Sequence, residues 1–268
     1  MIDCTTVKKR AKLALWKSFN GTFDSKGYTS LPTDNLLPGV DLESVREDLE
    51  QGDGSELNGK FRAVHSSSAL AVNSFGWFKC RTAQLSLLGH SGAKSLSLEK
   101  RLKIFSRGTP PNLDAWVEQE SQFIAVESKL LEHICPTKPG FSQTYEKLAP
   151  PVTDQVWWAA YKAAKAAGPS HLDVAQLIKH GFGIGAYCKQ NPKAKVTLLY
   201  VYWEPLNWKD FDVFVKHRDE LKVFGKSVKG AAFKFKAISY PELWQEWSTV
   251  PALKTHARNL EKRYLVSI

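Results

Sequence analysis

Asp114, Glu127 and Lys129 are the residues of this chain whose types and spacing could do chemistry. Two carboxylates supply hard oxygen donors suited to a divalent cation such as Mg²⁺, with Mn²⁺ as its nearest substitute. An ammonium beside them can steer an attacking water or offset charge on a phosphate, so the combination points to phosphodiester hydrolysis. Register decides whether the three meet. Side chains alternate along a strand, so Glu127 and Lys129 share one face, about 7 Å apart along the chain, while Ser128 faces the other way. If residues 113–119 and 123–129 form a hairpin with Glu118 opposite Phe123, then Trp116 faces Ala125 and Asp114 lies opposite Glu127. A slip by one residue would move Asp114 to the other face. In the productive register the reverse face carries Leu113, Ala115, Val117, Ile124 and Val126, which suits a core. The competing reading is a cross-strand salt bridge on an exposed sheet face. Two further acid-x-Lys triplets, Asp24-Ser25-Lys26 and Glu220-Leu221-Lys222, fall in a glycine-flanked loop and in a helix where residues two apart do not face each other.

The elements that must hold such a hairpin are readable around it. Residues 5–19 predict a basic amphipathic helix, with Val7, Ala11, Leu15 and Phe19 at every fourth position and Lys8, Lys9, Arg10, Lys12 and Lys17 among the rest. A short helix over 41–50 would be capped by Asp41 and stopped by Gly52, and the Ser66-Ser67-Ser68 run caps a core-facing helix through Ala69, Leu70, Val72 and Phe75. Residues 96–106 approach a turn at 108–112. Beyond the hairpin come helices over 153–167 and 172–190. Residues 195–203 then form a near-continuous apolar strand of the kind covered on both faces. A helix over 211–224, a strand over 231–238 and terminal helices over 241–247 and 253–264 complete the chain. Phe233-Lys234-Phe235-Lys236 reads either as an edge strand protected by lysine or as a phosphate-contacting strand. One mixed α/β sheet flanked by helices, in a single domain spanning 1–268, is the economical architecture.

Composition narrows the function classes. With 268 residues, 43% hydrophobic and 12% aromatic, the chain can bury a core, and its net charge of +10 favours a polyanionic partner, nucleic acid first. The longest apolar run, residues 197–203, is too short for a bilayer span and the N-terminus lacks a secretion signal, so a soluble cytoplasmic protein is expected. The scattered Cys4, Cys80, Cys135 and Cys188 form no CxxC pair and are expected to be reduced and mostly buried. The histidines show no metal spacing, and only His65, beside the serine run, is a candidate. Gly181-Phe182-Gly183-Ile184-Gly185 follows a helix and lacks Gly-Lys-Ser/Thr, so close helix packing explains it better than phosphate binding.

Pro111-Asn112-Leu113-Asp114 followed by Glu127-Ser128-Lys129 resembles the PD-(D/E)XK nuclease superfamily, with the usual Pro-Asp pair loosened to Pro-x-x-Asp. Residues 52–57 (Gly-Asp-Gly-Ser-Glu-Leu) and 65–75 (His-Ser-Ser-Ser-Ala-Leu-Ala-Val-Asn-Ser-Phe) are similar to the N-terminal pattern of bacterial restriction-endonuclease-like proteins; the resemblance covers roughly 40–205. It implies a restriction-endonuclease-like fold and Mg²⁺-dependent hydrolysis of DNA. Asp114 and Glu127 would bind the metal, the Ser128 carbonyl and Glu56 would add ligands, and Lys129 would orient or deprotonate water. Gln176 on its helix is implied as an auxiliary residue, and His65 joins it from the reading of the histidines alone. Cutting both strands of a palindrome would call for a homodimer. The runner-up is a non-catalytic nucleic-acid-binding protein that keeps the fold.

Overall fold

A computed structural model of the chain describes residues 2–51, 57, 59–104, 111–150 and 152–268. Its helices are α1 (Cys4–Lys17), α2 (Leu42–Gln51), α3 (Ser67–Phe75), α4 (Gln155–Ala166), α5 (Val174–Gln190), α6 (Asp212–Ser227), α7 (Tyr240–Ser248) and α8 (Lys254–Tyr264). A two-stranded ribbon, β1 (Ser86–Leu87) with β2 (His90–Ser91), precedes the main strands β3 (Ser95–Arg101), β4 (Asn112–Glu118), β5 (Phe123–Lys129), β6 (Val196–Tyr202) and β7 (Lys234–Ser239). The ribbon escapes the sequence pattern because two residues are too few to alternate. The five main strands form one mixed sheet in the order β3-β4-β5-β6-β7, with β3, β4 and β5 antiparallel and β5, β6 and β7 parallel.

Local chemistry explains the helix starts. Asp3, Ser66, Asp154, Asp173 and Ser239 each cap a helix by accepting a backbone N–H in its first turn. Apolar residues then divide into two layers. Against one face of the sheet, α1, α2, α3, α7 and α8 bury Val7, Leu15, Phe75, Trp244 and Tyr264 with Ala115, Val117, Ile124 and Val126. Against the other, α4 and α5 bury Trp157, Tyr161, Leu177 and Phe182 with Trp116, Ala125, Leu198 and Tyr200. Every residue of β6 is buried, as a strand covered on both faces requires. At the sheet edge, β7 leaves Lys234 and Lys236 exposed. Gly181 is a packing glycine: a Cβ there would come within 2.4 Å of the Trp157 ring.

The β4–β5 hairpin adopts the productive register, with Glu118 opposite Phe123 and Trp116 opposite Ala125. One core assignment is corrected. Leu113 packs with Trp116 and Ala125 rather than with Ala115 and Val117, where the β3–β4 ladder passes from Leu98↔Ala115 to Lys100↔Leu113 around Glu99, a residue held at φ +49°. None of the four cysteines is fully buried: Cys80 is exposed and the other three are half-buried, because each sits at an element end or on a helix flank. The Gly52 helix stop and residues 108–110 of the turn lie outside the described residues. Among the described residues, no helix is long and apolar enough to cross a membrane.

Candidate active site

β5 is the middle strand of the sheet, and its C-terminal half carries the chemistry. Glu127 and Lys129 project onto the face covered by α5, and Ser128 projects oppositely, where its hydroxyl lies 2.8 Å from the Tyr240 hydroxyl. Across the hairpin, the Asp114 carboxylate accepts the Ser128 N–H at 2.7 Å, which ties β4 to β5 one step beyond their last paired residues. Lys129 Nζ stands 2.6 Å from Glu127 Oε1 and donates to Gln176 Oε1 at 3.0 Å. His180 Nε2 stands 2.7 Å from Glu127 Oε2. Glu127 is only 1% exposed and the Lys129 side chain 11%, so the pair is no surface salt bridge.

Charges in so dry a place perturb one another strongly. Burial alone would raise the Glu127 carboxyl, yet the Lys129 ammonium and the His180 imidazole draw it down to about 2. Burial likewise works against the Lys129 ammonium, but Glu127, Glu132 and Asp114 outweigh it and hold Lys129 charged above its usual range. Asp114 moves the other way: loss of surrounding water, then the charges of Glu127 and Glu99, push it well above an ordinary carboxylate. The cluster therefore holds more carboxylate than its one ammonium offsets. Glu127 Oε1 is engaged by the Lys129 ammonium and Oε2 by His180, so the Glu127 charge is met within the cluster while that of Asp114 is not fully met.

That imbalance is the test for a cation. A half-buried carboxylate that resists ionising beside a fully buried, ionised one suits a hard divalent ion, and Mg²⁺ is commonly held by only one or two carboxylates, keeping several waters. Asp114 and Glu127 fit it. Among the described residues no group of three or more His, Cys, Asp or Glu side chains converges as a closed metal site, and Glu56 lies outside the described residues.

The residues expected here are brought together unevenly. Asp114, Glu127, Ser128, Lys129 and Gln176 converge. His65 does not. It accepts the Trp16 Nε1–H at 3.1 Å just ahead of the α3 cap, and burial, then Lys12, Lys8 and Arg263, lower it to about 4. Two neighbours of the cluster were not foreseen. His180 follows Gln176 by four residues, the spacing that puts two side chains on one helix face, so the pair was detectable once Gln176 was suspected. Glu132 follows β5 and folds its carboxylate back to accept the Leu130 and Leu131 N–H groups at 2.8 and 2.9 Å, a turn geometry with no sequence signal.

The other acid-x-Lys triplets serve structure. Asp24 accepts the Lys26 and Tyr28 N–H groups at 2.8 and 2.9 Å within a turn, and Glu220 accepts the Leu172 N–H at 2.7 Å ahead of α5. Compared with known proteins, residues 8–265 match the family described as Restriction Endonuclease associating with ARP. No curated protein and no solved structure gives a significant match.

Proposed function

The chain belongs to the family described as Restriction Endonuclease associating with ARP, and from that premise we propose that it is a nuclease that hydrolyses DNA phosphodiester bonds with a divalent cation, Mg²⁺ foremost. The observation that carries this reading is the Asp114–Glu127–Lys129 cluster. Two carboxylates and one ammonium meet there at the end of the middle strand, with negative charge in excess.

In this reading Asp114 and Glu127 hold the cation, with the Ser128 carbonyl as a further ligand. A bound divalent ion would supply Lewis acidity and a more acidic water. The chain's own groups do the positioning. Lys129, kept charged by its carboxylate neighbours, serves as an ammonium that orients water and meets the scissile phosphate; it is a poor base in this setting. Gln176 fixes the Lys129 Nζ and His180 fixes the Glu127 carboxylate, both from α5. The Ser128–Tyr240 hydroxyl contact anchors the strand from the opposite face.

The deciding experiment incubates duplex DNA with the protein in Mg²⁺, Mn²⁺ or EDTA, alongside Glu127→Gln and Lys129→Ala variants. Cleavage that needs the metal and disappears in both folded variants is expected; cleavage unchanged in either variant would sink the assignment. The net charge of +10, which suits a polyanion with or without chemistry, supports one second reading, a DNA-binding protein without catalysis. Retention of duplex with no cleavage and no heat of Mg²⁺ binding would establish it.

A further inference from the structure

The net charge of +10 is not spread evenly, and α1 concentrates it. Lys8, Lys9, Arg10, Lys12 and Lys17 stand on this helix with no acidic residue among them. Among the described residues none of the five has an acidic partner at ion-pair distance.

Helix geometry sorts the five. Val7, Ala11 and Leu15 face the core, and Lys8 and Lys12, four apart, form a stripe along one flank of that buried face. Arg10 and Lys17 project from the opposite side of the helix. The Lys8–Lys12 flank leads toward the candidate site. Lys12 Nζ lies 4.8 Å above the Trp16 ring, whose Nε1–H binds His65, just ahead of the Ser66 cap of α3. The next residue, Ser67, helps lower the Glu132 carboxyl, which in turn acts on Lys129. Helix α1 also packs on the turn Glu132–Ile134 that follows β5, and Lys8 acts on Cys135 at the end of that turn.

We propose that Lys8 and Lys12 form a phosphate-contacting stripe that seats the DNA backbone beside Asp114, Glu127 and Lys129, a placement that rests on the nuclease reading above. Unpaired ammonium groups on a rigid helix release counterions from a duplex without reading its sequence, which suits a surface that positions rather than specifies.

The test measures binding of a labelled duplex to the full chain in EDTA by fluorescence anisotropy across a salt series. Each phosphate contact contributes about 0.9 to the slope of log K against log salt, so Lys8→Glu/Lys12→Glu should lower that slope by roughly 2 and weaken binding at least about tenfold at low salt. Arg10→Glu/Lys17→Glu changes net charge equally and should alter the slope by less than half as much. Lys8→Gln/Lys12→Gln, with no charge reversal, should give the same slope loss should the first pair fold poorly. An unchanged slope in the Lys8/Lys12 variants, or equal losses in both pairs, overturns the stripe. If that happens while Mg²⁺-dependent cleavage stands, the stripe alone fails; if the wild type neither binds nor cuts the duplex, both readings fail together.

Discussion

Two buried glutamates sit at the ends of neighbouring strands and live in opposite circumstances. Glu204, just past β6 and 2% exposed, receives the Arg218 guanidinium as a fork: Nε donates to Oε2 at 2.8 Å and Nη2 donates to Oε1. Arg218 also reaches Glu242 at 3.1 Å and lies 4.3 Å over the Trp208 ring. Each charge has directed partners, as a structural ion pair needs. Glu127 also has cations at hand, Lys129 at 2.6 Å and His180 at 2.7 Å, but a second carboxylate, Asp114, sits beside it against its own preference for neutrality. One region is satisfied and the other is strained electrostatically, which is the usual mark of a site kept for chemistry rather than for stability.

The largest expected effect separates the two regions by function. Glu127→Gln should reduce Mg²⁺-dependent cleavage by about 10³-fold, in the range seen when one electrostatic group is removed from an active site, whereas Glu204→Gln should leave the rate of the folded protein within about threefold. Denaturant melts should show the reverse. Glu204→Gln strands a partly buried guanidinium and should cost about 2–3 kcal/mol, below the usual toll of a broken buried pair because Arg218 retains Glu242.

Asp114→Asn is expected to stabilise the protein while abolishing cleavage, raising Tm by about 2–4 °C near neutral pH for roughly 1 kcal/mol of relieved repulsion. The sign follows from linkage. Asp114 is raised in the folded state, so its ionisation penalises folding only as pH climbs above the unfolded value of 3.8, and the gain from Asn should vanish below that pH. Glu127, lowered to about 2, behaves oppositely: its stabilising contribution is present above the ordinary 4.5 and is lost as acid takes the pH from there toward 2. Equal stability of Asp114→Asn and wild type at pH 7 would remove the contrast between the two regions. The smallest effect should come from Gln176→Ala, which frees the Lys129 Nζ but leaves its pairing with Glu127; a loss of about tenfold in cleavage rate with unchanged Tm is expected.

Much of this architecture could be read from the residues. The β4–β5 register follows from alternation, since only one pairing buries Ala115, Val117, Ile124 and Val126 together. The Ser66 cap announced its helix, and the near-continuously apolar β6 announced a strand covered on both faces. What stayed hidden depends on geometry between distant segments. His180 approaches Glu127 only because α5 crosses β5 at one particular height, and no local pattern sets that height. Leu113 changed layers because of a positive φ at Glu99 in a neighbouring strand. His65 drew notice for its neighbours in sequence, yet its side chain is taken up by Trp16.

Gly181 sits next to His180, and the Trp157 ring leaves no room there for even one methyl group. The clearance between α4 and α5 therefore acts as the calibration of the site. Helix α5 carries both Gln176 and His180, so any side chain at position 181 would lift the two together from Lys129 and Glu127. Alignment of the cluster is in this sense machined by a contact on the far side of a helix, where no charged group is present to reveal it.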